Sequence, residues 1–136
     1  VRPATDAPFA STEGVLPALA RLESDMLLFL RLRGVRELQI SSYSEGGLGY
    51  RPHTDALPEV DVEGSQRKIT AIVYLNTDWK PTDGGQLRLW LADHDGGAEV
   101  DIEPRSGTLL LFLSGAMKHR VMPTHAPRLA ITAWYH

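Results

Sequence analysis

After Gly34, the chain is divided into short apolar and β-branched runs separated by glycine, proline, aspartate and asparagine. None of these runs is followed by a helical period, so crossover helices between parallel strands are not expected. Many short strands with turn signals predict an antiparallel sandwich or barrel. The predicted strands are Glu37–Tyr43, Gly49–His53, Lys68–Leu75, Gly85–Trp90, Glu99–Ile102, Thr108–Leu113, His119–Met122 and Arg128–Tyr135.

One amphipathic helix is predicted before the strands. Apolar residues recur at helical spacing from Leu16 to Leu32, and Gly34 provides a stop signal. Val1–Glu13 is rich in proline, alanine and threonine and indicates an irregular lead-in. The pattern therefore predicts a mainly β protein, a jelly roll with a supporting N-terminal helix.

Length and composition limit the class of protein. The chain has 136 residues, enough for one compact domain, and we expect residues 1–136 to form a single domain. Its start at Val1 is expected for the trimmed core of a longer protein, or for a chain with omitted segments. A net charge of −3 gives no basic surface for nucleic acid, and no apolar stretch approaches the length of a membrane span. The absence of cysteine excludes disulfides and thiolate zinc sites and favours a cytoplasmic location.

Three residues form a candidate metal site. His53 and Asp55 stand at i and i+2, so both side chains point to the same face of an extended strand. A second imidazole, that of His119, follows 64 positions after Asp55. Two histidines and one carboxylate on one face of a metal leave the other positions open, as in non-haem Fe(II) oxygenases. A His-x-Asp pair alone also occurs by chance on surface strands, so the prediction depends on its surroundings.

Those surroundings include a charged residue beside buried strands. His119 follows the apolar run 109–113, and Arg128 directly precedes the run 129–135. A charge in that position needs a partner. Two partners remain open: an anionic ligand, whose carboxylate a planar guanidinium can hold by two hydrogen bonds, or an internal aspartate or glutamate.

Other motifs indicate loops. Asp93–Gly97 resembles the start of a calcium loop but lacks the later glutamate, so it predicts a hairpin turn. Gly46–Gly49 precedes no helix that could hold a phosphate and predicts a flexible loop. His94, His125 and His136 lie in polar or terminal segments and are expected at the surface.

Four segments together resemble one family. The first is Tyr43–Asp55, and the second is Tyr74–Trp79 with Gly84–Leu87. The third is Asp101–Pro104 with Gly107, Phe112, Ser114 and His119–Pro123, and the fourth is Arg128–Tyr135. They resemble the catalytic core of prolyl 4-hydroxylases over roughly residues 39–136. The segments 101–104 and 130–135 are most similar to hypoxia-inducible-factor prolyl hydroxylases and their bacterial relatives.

The resemblance implies a fold and a reaction. The fold is a double-stranded β-helix that forms an Fe(II)- and 2-oxoglutarate-dependent dioxygenase domain. Dioxygen is the second co-substrate, ascorbate is a candidate reductant, and succinate and carbon dioxide are co-products. The substrate is a proline in a protein or peptide, hydroxylated at ring carbon 4.

The resemblance also implies roles for individual residues. His53, Asp55 and His119 match the iron ligands. The remaining matches are Arg128 and Tyr74 at the distal carboxylate of 2-oxoglutarate, Thr132 and Trp134 in the pocket beside it, Tyr43 near the iron and the substrate proline, and Arg67 near the substrate groove. Collagen-type relatives usually carry lysine where Arg128 stands, so Arg128 places the chain nearer the oxygen-sensing branch. The segment before the motif is short, which leaves open how the substrate groove is completed.

Two alternatives compete with a prolyl hydroxylase. A hydroxylase of a free amino acid or small metabolite would need a second cation besides Arg128, for which Arg67 and Arg120 are candidates. A non-catalytic jelly-roll binding module would keep the fold without turnover, but the intact triad and Arg128 disfavour it. Asp55 itself argues against a halogenase-type site, which needs that ligand position free for halide.

Overall fold

The computed structural model describes residues 12–32, 36–56, 66–91 and 97–136. One helix, α1 (Thr12–Leu27), precedes eight strands in this part of the chain. The strands are β1 (Arg36–Tyr43), β2 (Tyr50–His53), β3 (Ile69–Tyr74), β4 (Leu87–Trp90), β5 (Glu99–Ile102), β6 (Leu109–Leu113), β7 (Lys118–Val121) and β8 (Arg128–Tyr135). All eight predicted strands are confirmed, with ends within two residues of those predicted.

The strands form two four-stranded antiparallel sheets, in the orders β1-β8-β3-β6 and β2-β7-β4-β5. The chain crosses from one sheet to the other between all consecutive strands except β4 and β5, which form a hairpin within one sheet. This is the arrangement of a double-stranded β-helix, so the predicted jelly roll is confirmed. The strand register brings candidate site residues together. His53 lies opposite His119 in the β2–β7 pair, and Tyr43 lies opposite Arg128 in the β1–β8 pair.

Two apolar clusters stabilise this arrangement. The first fills the space between the sheets and consists of Ile72, Tyr74, Leu87, Leu89, Phe112, Val121 and Ala130. The second joins α1 to the outer face of the β1-β8-β3-β6 sheet, where Val15 and Leu19 of the helix are almost fully buried. There the hydroxyl of Tyr135 donates a hydrogen bond to the Leu19 carbonyl over 2.9 Å. The helix therefore covers the outer face of the β1-β8-β3-β6 sheet, and the inner face of that sheet faces the other sheet.

The predicted helix bounds were wrong at both ends. The helix already includes Thr12 and ends at Leu27 rather than Leu32. Directly after Leu27, the N–H groups of Leu28 and Phe29 donate to carbonyls three residues earlier, and their side chains are 77% and 85% exposed. The apolar period continues to Leu32, which packs against the second cluster, but Leu28 and Phe29 lie mostly in solvent, so tertiary contacts do not extend the helix through them. Gly34 and residues 1–11 lie outside the described residues.

In the part of the chain described, no helix combines the length and apolarity needed to cross a membrane.

One of the three histidines expected at the surface is buried. His136 is only 9% exposed, and its Nε2 lies 2.7 Å from Glu37 Oε1, so that prediction was wrong. It follows β8 directly and comes beside β1, where a carboxylate is available. His125 is exposed as predicted, whereas His94 and most of the segment compared with a calcium loop lie outside the described residues.

Candidate metal centre

His53, Asp55 and His119 converge as the sequence predicts. Their candidate ligand atoms all lie within 4.8 Å of one another. Asp55 Oδ1 is 3.4 Å from His53 Nε2 and 3.7 Å from His119 Nε2. The β2–β7 pairing sets the two imidazoles side by side, and the bend after β2 brings the carboxylate under them. Among the described residues this is the one such group that could hold a metal ion.

Backbone carbonyls orient both imidazoles. His53 Nδ1 lies 2.9 Å from the Arg51 carbonyl, and His119 Nδ1 lies 3.0 Å from the Met117 carbonyl. A carbonyl can only accept, so each Nδ1 carries the proton and each Nε2 of a neutral ring keeps its lone pair. Both lone pairs are thereby available beside Asp55, which is the arrangement a divalent metal requires.

The carboxylate is ionised in its buried position. Burial alone would raise the pKa of Asp55, but hydrogen bonding with His53 and Thr70 and the charge that His119 carries when protonated outweigh it and lower the pKa to about 2. Asp55 is therefore a carboxylate at any pH at which the imidazoles are neutral. Burial lowers the pKa of His119, which favours its neutral, ligating form, whereas hydrogen bonding to Asp55 raises that of His53.

The three side chains open into a cavity of about 310 Å³ between the two sheets. The cavity is lined by Gln39, Ser41, Tyr43, Tyr50, His53, Thr54, Asp55, Arg67, Ile72, Leu87, His119, Val121, Arg128, Ala130, Thr132 and Trp134. Every predicted site residue except Tyr74 therefore lines the same space. Such a volume lies at the lower end of the range for small-molecule sites.

Arg128 is a buried cation at the inner part of this cavity. It is only 4% exposed, and its Nε donates to the Gly85 carbonyl over 2.7 Å. Its guanidinium lies over the rings of Tyr43 and Tyr74, at 5.3 and 5.2 Å from their centres. No carboxylate within the described ranges comes close enough to form an ion pair with it. The internal partner considered from the sequence is thus not found there.

Tyr74 lies beside Arg128 but is not among the residues that line the cavity. It is fully buried, and burial raises its pKa to about 12. Its hydroxyl oxygen is enclosed without a hydrogen-bond partner in the described part of the chain. An enclosed hydroxyl without a partner is costly, so a ligand beside Arg128 would find both a charge and a free donor.

Arg67 lies at the rim of the cavity and is already paired. Its Nη2 is 2.7 Å from Glu37 Oε2, and its guanidinium carbon stacks 3.7 Å from the centre of the Trp134 ring. Glu37 also forms a hydrogen bond with His136. This cluster joins β1 to the end of β8 and fixes the position of Trp134, one of the predicted pocket residues.

The sequence did not single out three residues that shape the site. Tyr50 lines the cavity and packs edge-on against His53, with ring centres 4.8 Å apart. Thr70 donates to Asp55 from β3, and Gly85 accepts from Arg128. Tyr50 could have been found from the sequence, because it stands three residues before His53 on the same strand. The other two contacts join positions far apart in the chain, which no local spacing indicates.

Gly85 is the residue that makes room for Arg128. Its φ is +72°, and a Cβ there would lie 2.8 Å from Arg128 Cδ. We expect Gly85→Ala to lose about 1–2 kcal/mol of stability from backbone strain and also to displace the guanidinium. A displacement of that kind should weaken binding of a carboxylate ligand by on the order of tenfold or more. Thermal unfolding and 2-oxoglutarate titration of the metal-loaded protein measure the two effects.

Gly46→Ala is the matched control for this substitution. Gly46 has the same φ of +72°, but a Cβ there would meet nothing within 4 Å. Gly46→Ala should lose a similar amount of stability from backbone strain and leave the affinity for 2-oxoglutarate unchanged. Equal ligand affinity in the two variants would contradict a role for Gly85 in placing Arg128.

The residues present fit an iron ion and a dicarboxylate. Two imidazole nitrogens and a carboxylate oxygen form the donor set of a facial triad that leaves metal positions open. In the same cavity, a buried guanidinium without a carboxylate partner and a nearby enclosed hydroxyl form a place for a distal carboxylate.

Residues 38–136 match the 2OG-Fe(II) oxygenase superfamily. The chain belongs to this superfamily. The match covers both sheets, the triad and Arg128, so the predicted iron and 2-oxoglutarate are those of the family.

The proteins that this chain is similar to include prolyl hydroxylases, the family that the sequence resembles. It is 38% identical over 108 residues to Egl nine homolog 1 of Rattus norvegicus, covering 77% of this chain and 30% of that protein. It thus spans less than a third of that relative. The structure resembles a Pseudomonas putida prolyl-4-hydroxylase with a TM-score of 0.78 and 36% identity, covering 100% of this chain and 70% of the other. A Trichoplax adhaerens prolyl hydroxylase, solved with a hypoxia-inducible-factor peptide fragment, matches with a TM-score of 0.71 and 29% identity, covering 93% and 59%.

Proposed function

We propose that this protein is an Fe(II)- and 2-oxoglutarate-dependent dioxygenase that hydroxylates a prolyl residue of a protein at ring carbon 4. The observation that carries the proposal is the placement of the His53–Asp55–His119 triad and the buried Arg128 in one cavity. Similarity to prolyl hydroxylases over the same residues supports the choice of substrate.

The triad would hold the iron. His53 and His119 would contribute their Nε2 atoms, because their Nδ1 atoms are committed to backbone carbonyls, and Asp55 would contribute a carboxylate oxygen. When bound, the iron supplies the oxidative chemistry that converts 2-oxoglutarate and dioxygen into succinate and carbon dioxide and adds one oxygen atom to a C–H bond. The protein supplies the positions of the reactants and a partly enclosed space for them.

Arg128 and Tyr74 would anchor 2-oxoglutarate by its distal carboxylate. The guanidinium offers charge and paired donors, and Tyr74 offers a hydroxyl without another partner. Thr132 and Trp134 lie on the same strand as Arg128 and line the cavity towards its rim. Their positions on one face of β8 would hold the chain of the co-substrate between Arg128 and the metal.

The rim of the cavity favours a peptide over a free amino acid. A free amino acid needs a cation for its carboxylate, and Arg67 is already held by Glu37. Arg120 is not among the cavity-lining residues, because it alternates with His119 and Val121, which face the cavity. Tyr43 and Tyr50 instead present aromatic surface on which a pyrrolidine ring can pack.

We expect iron-loaded protein to form succinate from 2-oxoglutarate faster with proline-containing peptides than with free L-proline. The measurement is a peptide panel assayed for succinate, and the same peptides with alanine in place of proline are the control. Turnover of free proline with none on any peptide would contradict the proposal and favour the small-metabolite alternative.

A further inference from the structure

A chain of two buried hydroxyl groups holds the carboxylate of Asp55. Thr70 Oγ1 donates to Asp55 Oδ2 over 2.7 Å, and Ser114 Oγ lies 2.8 Å from Thr70 Oγ1. Thr70 and Ser114 are both fully buried, at 0% exposure. Buried hydroxyls of this kind are costly unless each proton and acceptor is used, so the direction of each bond can be worked out.

Both hydroxyl groups donate their hydrogen bonds in the direction of Asp55. A carboxylate only accepts, so the single hydroxyl proton of Thr70 is committed to Asp55 Oδ2. Thr70 can then only accept from Ser114, which makes Ser114 the donor of the 2.8 Å bond. The chain therefore orients Thr70 as a permanent donor to one carboxylate oxygen.

Ser114 also fixes the backbone that carries the carboxylate. Its carbonyl accepts from the N–H of Asp55 over 2.9 Å and from that of Ala56 over 3.2 Å. Its own N–H donates to the Lys68 carbonyl over 3.0 Å, which ties the end of β6 to the start of β3. Ser114 thus holds the main chain of Asp55 directly and its side chain through Thr70.

The two oxygens of Asp55 have different surroundings. Oδ1 faces both imidazoles, at 3.4 and 3.7 Å from their Nε2 atoms, whereas Oδ2 is occupied by Thr70. We propose that Thr70, oriented by Ser114, is a positioning residue that restricts Asp55 to binding the metal through one oxygen. This inference rests on the proposed function, because it concerns the metal of that site.

The restriction matters for co-substrate binding. The triad is useful because it leaves metal positions open, and a keto acid that chelates through two oxygens needs two of them. A second oxygen from Asp55 would take one of these positions. Removing the Thr70 hydroxyl should therefore weaken 2-oxoglutarate binding on the loaded site, even where the metal itself is retained.

The test compares Thr70→Val with Thr70→Ser in the full chain loaded with Co(II), whose visible absorption reports its coordination. Valine removes the hydroxyl with little change of shape, and serine keeps it. We expect Thr70→Val to change the Co(II) spectrum and to weaken 2-oxoglutarate binding about tenfold, the lower end for groups that support a metal ligand. Thr70→Ser should resemble the wild type in both measurements.

Two further variants keep the test decisive. Ser114→Ala removes the donor to Thr70 but keeps the backbone bonds, so it should change the Co(II) spectrum and the 2-oxoglutarate affinity in the same direction by a smaller amount. It provides the test if Thr70→Val does not fold. Thr124→Val is the matched control, because Thr124 is 1% exposed and its hydroxyl donates to the Ser44 carbonyl over 2.8 Å instead. It should alter stability without altering the Co(II) spectrum.

The outcomes separate this inference from the function on which it rests. A wild-type spectrum and wild-type 2-oxoglutarate affinity in Thr70→Val would overturn the positioning role alone. Similar changes in Thr124→Val would also overturn it, since any lost buried hydroxyl would then have the same effect. Failure of the wild-type protein to bind Co(II) or 2-oxoglutarate would overturn the proposed function, and this inference with it.

Discussion

Replacing Asp55 with alanine is expected to remove most of the metal affinity and essentially all turnover. Asp55 is the one carboxylate of the triad, and its Oδ1 is the oxygen that faces both imidazoles. Without it, two neutral nitrogens would have to hold a divalent cation in a partly dry cavity with no anionic ligand. Iron content after loading and dialysis, measured beside succinate formation, gives the result directly.

Asp101→Ala is the matched control for Asp55→Ala. Asp101 is an exposed carboxylate of β5 that pairs with Arg88 on the far side of its sheet, with Nε to Oδ1 at 2.8 Å. Its loss should leave iron content and turnover at the wild-type level. Equal iron occupancy in wild type and Asp55→Ala would rule out the triad as the metal site.

Replacing Arg128 with alanine is expected to raise the apparent KM for 2-oxoglutarate sharply. A carboxylate buried beside Tyr74 would lose its charge partner, at a cost on the order of 2–5 kcal/mol. That corresponds to roughly a thirtyfold or larger loss of affinity. Initial rates over a range of 2-oxoglutarate concentrations, with iron saturating, measure it, and metal content should stay unchanged.

Two companion variants define what Arg128 contributes. Arg128→Lys should recover part of the affinity, since lysine restores a point charge but not the paired donors of a guanidinium. Arg88→Ala removes an arginine that pairs with Asp101 and Glu99 at the surface and should leave the KM unchanged. An unaltered KM in Arg128→Ala would show that 2-oxoglutarate is anchored elsewhere.

The strands and the His53–Asp55 pair could be predicted because their signals are local. Alternation and turn residues mark each strand, and the i, i+2 spacing of His53 and Asp55 puts them on one face. The helix end at Leu27 could not be predicted, because the apolar period continues to Leu32 and only tertiary contact decides where it stops. The burial of His136 likewise depends on Glu37, which β1 brings alongside.

The supporting contacts of the site could not be predicted from spacing. Gly85 looks like an ordinary turn residue until Arg128, 43 positions later, fills the space that a side chain would occupy. Thr70 and Ser114 look like polar residues at the ends of apolar strands, and they meet Asp55 only because β3 and β6 are neighbours. Sequence patterns and the family resemblance therefore located the candidate metal ligands, whereas the residues that support them became visible only in the folded chain.

The most direct test is mass spectrometry of a proline-containing peptide incubated with the iron-loaded protein, 2-oxoglutarate and isotopically heavy dioxygen. The protein should add one heavy oxygen atom to ring carbon 4 of proline and form succinate in equal amount, and Asp55→Ala should do neither. Succinate formation that never modifies a prolyl residue, with the oxygen found instead on a free metabolite, would contradict the account.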